Sequence, residues 1–472
     1  MLVISYVNND VAMIKVMKKD WLMGKNKKHI IIQLLLMTCF MSTQVMCKNN
    51  NQLNNPKQVV AEIIMDWNAV ILEIAQAEDG LLTLKGVRTA AMMHAAMHDA
   101  LNTIDGRYST YVLQQKKVSA NPHMAVTQAA FEVAVDQYPD KRQLFLNRLH
   151  ASLNKIPDGP DKSQAIKLGK QAATAILNKR GNDRWNSEIE YQWHPMGPGV
   201  YAEFNEHSGT PEGFVFGAGW AKALPFVLSK PGHFRVPPPP KIDSKAYAQA
   251  FIEVKQYGSH TSSVRTDDQA HLAMWWKDFV ENSHNRLARQ LVVSENLDLW
   301  EASRLFALLN MSVFDAYINV FENKFFYNHW RPYTAIRWAE NDGNPHTVAD
   351  QEWDNLHKHT YAFPSYPSAH GTACAAAMTV LADVFGDDYG FTMMTTTVDS
   401  AGPFSDKTQM IPPSRSFKKF SEAALECSMS RIYLGIHFRY DSVEGYKLGS
   451  QIGSYSVENF MQIIRQKNPE GN

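Results

Sequence analysis

The stretch Phe363-Pro-Ser-Tyr-Pro-Ser-Ala-His-Gly-Thr-Ala-Cys-Ala-Ala-Ala-Met378 changes character in mid-course. Prolines stiffen its first half, and its second half is a run of alanines and other small residues. That is the pattern of a loop entering a buried helix. Ser368 and His370 fall at the junction. A serine there is a favoured helix cap and needs no further role. The same helix start also offers free N–H groups and a positive dipole end, which together suit an anion. The stretch leaves both readings open, and its partners elsewhere in the chain must choose.

Helical spacing dominates outward from it. Val60, Ile63, Ile64, Trp67 and Val70 recur at three- and four-residue steps within Val59–Asn102. Val87–Leu101, Ala125–Tyr138, Arg142–Leu153 and Lys162–Asn178 continue the series. Thr266 with Gln269 fits a capping box, and helices are expected over Ala270–Phe279, Ser283–Glu295 and Leu299–Phe321. Strand-like alternation is scarce, so the expected fold is all-α. Trp193–Pro240 differs: it is rich in Gly, Pro and aromatic residues and ends in four prolines. Irregular segments this long are usually functional, and this one is a candidate boundary. It divides an N-terminal helical region, residues 58–240, from a C-terminal helical region, residues 241–472. A short internal echo relates Met93–Asn102 to Leu309–Ile318 around a shared Asp-Ala, hinting at two related halves.

The chain has 472 residues, 45% hydrophobic and 20% charged, enough for a substantial core. Its 47 basic and 47 acidic residues give a net charge of +0. No global field points to nucleic acid or an anionic membrane, so an anion site must be local. Lys25–Lys28, the apolar His29–Met41 and the smaller Ser42–Cys47 follow the order of a signal peptide. Residues 1–47 are therefore read as a leader for export, with Met23 as an alternative start and Cys47 as a weak lipid-attachment candidate. After the leader no long uncharged apolar span appears. Cys374 and Cys427 remain, both in apolar helical stretches. Two buried free thiols are the simpler reading, and one disulfide between them stays open.

Three further constellations carry chemistry. His94 and His98 have the spacing of two zinc ligands, but Ala95 stands where a zinc protease carries Glu. A core or loop-anchoring role is expected for them. Lys324 and Arg331 lie about two helical turns apart in an aromatic stretch closed by Pro332. Buried cations need an anion. Ser430 to Asp441 places Arg431, Gly435, His437 and Asp441 in an apolar run. Asp441 can accept from one imidazole nitrogen of His437 and sharpen the other as ligand or nucleophile. Each feature alone is commonly structural. Their sum is three cations, two imidazoles, a hydroxyl and a helix N-terminus, a set suited to a tetrahedral oxyanion.

Lys324–Pro332, Pro367-Ser-Ala-His370 and Ser430–Asp441, in this order, resemble the signature of the vanadium-dependent haloperoxidase and type-2 phosphatidic acid phosphatase superfamily. The upstream helices and Gly/Pro-rich segment resemble its secreted bacterial haloperoxidases. The resemblance implies helical bundles of the haloperoxidase/acid phosphatase type and vanadate as cofactor. In it Lys324, Arg331 and Arg431 neutralise the oxyanion, and Ser368 and the Ala369 N–H donate to it. His437 is the vanadium ligand or the phosphatase nucleophile, His370 the acid–base group, and Asp441 the residue that orients His437. Ala369 departs from the family's Gly, which raises the question of backbone freedom there.

His-Trp-Arg-Pro at 329–332, with the residues to Arg337, and Gly-Ile-His-Phe-Arg-Tyr-Asp at 435–441 resemble the haloperoxidase branch. The implied reaction is oxidation of halide by hydrogen peroxide to hypohalous acid through peroxovanadate, with small organic acceptors downstream. Phe363 and Phe321 give a mixed halide pocket from which no halide is read. The alternatives are an exported acid phosphatase acting through phosphohistidine, and a secreted helical binding protein with a dead site. A lipase-type hydrolase is set aside, because Ser368 lacks the Gly-x-Ser-x-Gly elbow.

Overall fold

Apolar spacing becomes helix almost throughout the computed structural model, which describes residues 56–79, 84–403 and 405–464. These belong to one compact unit beginning at Pro56. The expected leader, with Cys39 and Cys47, lies outside the described residues. Fourteen α-helices are found among the described residues. They are α1 (Pro56–Asp79), α2 (Leu84–Ile104), α3 (Pro122–Gln137), α4 (Arg142–Leu153), α5 (Pro160–Arg180), α6 (Asn205–Ser208) and α7 (Lys245–Tyr257). They continue with α8 (Asp267–Trp275), α9 (Val280–Ser294), α10 (Leu299–Tyr327), α11 (Pro332–Arg337), α12 (Ala369–Phe385), α13 (Phe420–Tyr433) and α14 (Arg439–Asn459).

The central element is α10. Asp298 caps it, accepting from the Trp300 and Glu301 N–H groups at 3.0 Å, while Glu301 returns a bond to the Asp298 N–H at 2.8 Å. It runs past the expected end at Phe321 and stops where Asn328 turns left-handed at φ 51°. Lys324 therefore sits on its last turn. By length and composition α10 could cross a membrane, but it packs against α2, α12 and α14 and is almost wholly buried. It is the core helix, and its apolarity serves that position.

The expected helix Ala270–Phe279 is shorter and starts earlier. The Thr266/Gln269 capping box is formed and fixes the start at Asp267, and the helix ends at Trp275. Trp276–Phe279 is thereby released as a link into α9. The Trp193–Pro240 segment is irregular apart from the single turn of α6 and a 3-10 turn at Trp220–Lys222.

Two small antiparallel hairpins, unexpected from the sequence, lie between α12 and α13. Phe391–Met394 (β1) pairs with Ser414–Phe417 (β4), and Thr397–Asp399 (β2) pairs with Lys407–Gln409 (β3). Strands of three or four residues are too short for alternation to declare itself.

The internal echo has a physical counterpart. Asp99 accepts from three consecutive N–H groups, Tyr111, Val112 and Leu113, at 2.6–2.7 Å. Asp315 accepts from Phe226, Val227 and Leu228 at 2.6–2.8 Å. In both, one carboxylate oxygen takes the first N–H and the other takes the next two. Nearby, His98 anchors the same loop through the Ser109 carbonyl at 3.0 Å, and His94 meets Asn68 at 3.1 Å. Neither histidine joins a metal-binding group among the described residues.

The alanine-rich α12 lies against α14. Gly445, Gly449 and Gly453 follow one face of α14, where an added Cβ would come within 2.7 Å of Ser368 O, 2.1 Å of Thr372 O and 2.6 Å of Thr379 Cβ. Small residues on both helices permit this approach, which brings the start of α14 beside the start of α12.

Candidate active site

Three chain segments converge on one cage. Lys324, at the end of α10, is fully buried and donates to the carbonyls of Pro364 (2.9 Å) and Ser365 (2.7 Å). Arg331 precedes α11 and donates from Nε to Phe363 O at 2.8 Å and from Nη1 to Ile436 O at 3.0 Å. Both cations face the Phe363 ring, with Lys324 Nζ 5.2 Å and Arg331 Cζ 4.6 Å from its centroid. Burial, reinforced by Arg331, pulls the Lys324 ammonium well below its ordinary range. Burial brings Arg331 down to about 10. Neither makes an ion pair with a carboxylate among the described residues.

His437 lies in the turn between α13 and α14. Gly435 makes that turn at φ +84°, a conformation in which a Cβ would also strike Gly258 O. Arg331 Nη1 donates to His437 Nε2 at 3.2 Å, and His437 Nδ1 lies 2.8 Å from Asp441 Oδ2. A guanidinium only donates, so Nε2 holds the lone pair and Nδ1 carries the proton given to Asp441. Ser365 donates its hydroxyl to the same Asp441 oxygen, and the Phe438 N–H adds a bond at 3.2 Å. Burial pushes His437 well down and Asp441 up to about 7. The imidazole is thus neutral, with its lone pair aimed among the cations.

Ser368 caps α12, its Oγ accepting from the Gly371 N–H at 3.3 Å, and its own N–H donates to Asp441 O at 2.9 Å. Ala369 opens the helix and is absent from the positive-φ residues, so the position needs no glycine backbone. His370 follows; one side of its ring bonds to the Trp276 backbone, and its Nε2 is buried without a partner. Arg431, near the end of α13, donates to Trp276 O at 3.1 Å and leaves Nε unpartnered. Burial, with Arg431 beside it, holds His370 well below the ordinary imidazole range.

Every residue expected in the site is therefore brought to one place. His370, Arg431, His437 and Ala369 line a cavity of about 430 Å³ whose other walls include Phe214, Phe216, Phe279, Tyr361 and Phe363. Sequence reasoning missed Ser365, which supports both Asp441 and Lys324, and Trp276, whose backbone links Arg431 to His370. Ser365 had a signal in the repeated Pro-Ser of 364–368. Trp276 acts through its backbone, which no residue type announces. Cys374 and Cys427 are free and buried, and Cys374 Sγ lies 3.2 Å from His284 Nε2.

Two orphaned donors test the cage for an oxyanion: Arg331 Nη2 and Arg431 Nε are buried without partners among the described residues. Buried donors of this kind ordinarily have acceptors. His370 Nε2, also without a partner, is the lone-pair nitrogen, because the other side of the neutral ring bonds to the Trp276 backbone. A tetrahedral anion beside the His437 lone pair fits the set.

This is the helical-bundle fold of the vanadium haloperoxidases. Residues 304–466 match the family profile described as the VCPO second helical-bundle domain. The chain is 22% identical to the vanadium chloroperoxidase of Curvularia inaequalis, over 83% of this chain and 81% of that protein. It is 33% identical to the vanadium-dependent bromoperoxidase of Ascophyllum nodosum over 126 residues, 25% of this chain and 21% of that one. Among solved structures, the first bacterial vanadium-dependent iodoperoxidase superposes with a TM-score of 0.66 at 21% identity, covering 87% of this chain and 98% of its own. A holo-type bacterial vanadium-dependent chloroperoxidase gives 0.60 at 16% identity, covering 80% and 92%. The resemblance carried by the three motifs is borne out.

Proposed function

We propose that this chain is a vanadium-dependent haloperoxidase that uses hydrogen peroxide to oxidise halide to hypohalous acid. The observation that carries the reading is the convergence of orphaned buried donors around the His437 Nε2 lone pair. Vanadate, when bound, supplies a Lewis-acidic centre at which peroxide is activated for attack by halide. His437 Nε2 would be its protein ligand, and Asp441 with Ser365 holds the tautomer that ligation requires. Lys324, Arg331 and Arg431 would balance its anionic charge, and Ser368 Oγ and the Ala369 N–H would donate to it. His370 Nε2, neutral and facing the cavity, accepts a proton as peroxide enters and returns one as hypohalite leaves. Lys324, held by the Pro364 and Ser365 carbonyls, would place its ammonium against the bound oxyanion. The Phe363 ring beneath Lys324 and Arg331, with Phe321 5.1 Å from it, forms an apolar floor and leaves the halide unspecified. The curated and structural relatives named above carry chloride, bromide and iodide in their names.

The reading includes small organic acceptors for the oxidised halogen and export of the chain; export rests on the N-terminal pattern alone. The test is peroxide-dependent oxidation of iodide, bromide and chloride by purified protein, before and after orthovanadate, with a phosphate ester in parallel. Vanadate-dependent oxidation lost in His437→Ala is expected. Ester hydrolysis inhibited by vanadate, with no halide oxidation, would assign the phosphatase chemistry instead. A protein inert in both assays would support the dead-site alternative.

A further inference from the structure

Glu281, in the first turn of α9, is a carboxyl group with no task in the reaction above. It is only 4% exposed, and its Oε2 accepts from the Tyr317 hydroxyl at 3.1 Å. Tyr317, within α10, lines the cavity that receives His370 and His437. Glu281 itself lines a separate, small cleft at the packing of α1, α2 and α9, with Gln76 and Val87 among its walls. The cleft offers about 10 Å³, room for about one water, and Gln76 on it is exposed. One hydrogen bond therefore joins a group on the outer cleft to a group on the reaction cavity.

The charges around Glu281 are occupied elsewhere. Asp278, on the link before α9, is engaged by Arg286 at 2.5 Å. On α1 and α2, Glu78 and Lys85 pair with each other at 3.0 Å, and Glu73 faces Arg289. Beyond Tyr317 lie Cys374, Cys427 and Arg431. Burial pushes Glu281 up to about 7, with Tyr317 opposing and Asp278 assisting. Burial also holds the Tyr317 phenol well above its ordinary range, so it keeps its proton.

Halide oxidation consumes a proton: hydrogen peroxide, halide and one proton give hypohalous acid and water. His370 returns the proton that it accepts, so the consumed one must enter from outside. The cavity histidines hold none in store, since burial brings His359 to about 4 and His370 and His437 lower still. Lys277, also in the cavity wall, gives its N–H groups to the Asp399 and Ala401 carbonyls. We propose that Glu281 and Tyr317 relay the consumed proton from the outer cleft into the cavity. The Glu281 carboxyl O–H is given to the Tyr317 oxygen as the phenol O–H passes to solvent in the cavity. The new phenol O–H then donates to the Glu281 carboxylate, and a proton from the cleft restores the acid. At each oxygen one O–H bond breaks and one forms, no electron moves, and one proton crosses for each halide oxidised. The proposal deepens the haloperoxidase reading and rests on it.

The test compares wild type, Glu281→Gln, Glu281→Asp and Tyr317→Phe, each loaded with vanadate. Peroxide-dependent oxidation of iodide and bromide is followed at pH 6 in dilute buffer, and acetic acid is then raised as an external proton donor. In dilute buffer, kcat of Glu281→Gln and Tyr317→Phe should fall on the order of 100-fold, the low end of what positioned proton transfer contributes. KM for peroxide and halide should stay unchanged, and acetic acid should restore kcat. Glu281→Asp, which keeps a titrating carboxyl, should lie between. Wild-type kcat should also decline as pH rises through about 7, where Glu281 loses its proton, and Glu281→Gln should lack that step. Should Gln at 281 prevent folding, Tyr317→Phe gives the same dilute-buffer and rescue readouts. Wild-type kcat in both variants, or a loss that acetic acid does not relieve, would overturn the relay and leave the haloperoxidase reading standing. Absence of halide oxidation from the wild type would overturn both.

Discussion

His437 and Asp441, four residues apart across the start of α14, are joined by a 2.8 Å contact between Nδ1 and Oδ2. Because Arg331 donates to Nε2, this contact fixes which imidazole nitrogen has its lone pair among the cations. Removing the carboxylate in Asp441→Ala frees the ring to rotate and to change tautomer. Outer partners of this type commonly contribute 10–100-fold to affinity, so vanadate binding should weaken by about that factor. Titration calorimetry of the vanadate-free protein would measure it. Ser365→Ala, which removes only the hydroxyl bonded to Asp441, should fall between wild type and Asp441→Ala. Equal affinity in all three would refute the orienting role.

Ala369 stands where the family motif has glycine. Ser368 before it has φ −70° and ψ 117°, and α12 begins with Ala369 itself in ordinary backbone. A glycine there would gain no conformation that the site uses, and its extra freedom is lost on folding. Ala369→Gly should therefore leave vanadate affinity within about twofold and cost roughly 0.5–1 kcal/mol of stability. A tenfold rise in affinity would mean that the methyl group obstructs the oxyanion.

The paired aspartates make a prediction away from the site. Asp315→Ala would strand the N–H groups of Phe226, Val227 and Leu228 in the interior. At about 1–3 kcal/mol for each buried unsatisfied group, the loss should reach at least about 3 kcal/mol. Asp99→Ala should be similar, because its loop is held in the same way. Denaturant midpoints would show both losses. Asn at either position keeps one accepting oxygen and should lose less. A silent Asp99→Ala beside a damaging Asp315→Ala would break the equivalence of the two halves.

Much of this was legible from residue types, and the rest depended on groups that sequence does not display. Helices with apolar stripes could be placed because burial repeats at helical spacing. Lys324, Arg331 and Arg431 could be singled out because charged side chains in apolar runs demand a partner. The hairpins between α12 and α13 gave no signal, being three or four residues long. Trp276 and Lys277 fall within the expected helix Ala270–Phe279, whereas the helix ends at Trp275 and leaves both in the link to α9. Ser365 looked like one more loop serine, since its value lies in reaching Asp441 across 76 positions of sequence.

Buried neutral histidines set the response to acid. His284 is wholly buried, with Nδ1 3.0 Å from Ser283 Oγ and Nε2 3.2 Å from Cys374 Sγ, and burial pushes it down to about 3. His94 and His329 are likewise pushed to about 3, chiefly by burial. In the unfolded chain each protonates near pH 6.5. Above that pH both states are neutral and the groups do not affect stability. As pH falls from about 6.5 toward 3, the unfolded chain takes up protons that the folded chain refuses, so stability falls. Glu281, which burial pushes up to about 7, acts oppositely, since the folded state keeps a proton the unfolded chain releases. The net effect of these four groups near pH 5.5 is two protons, or about 3 kcal/mol lost per pH unit. Urea midpoints at pH 7, 6 and 5 should therefore decline. The sharper test is His284→Gln, which removes one titrating group and should reduce the slope by about 1.4 kcal/mol per unit. An unchanged slope in that variant would mean that His284 takes up its proton equally in the folded and unfolded protein.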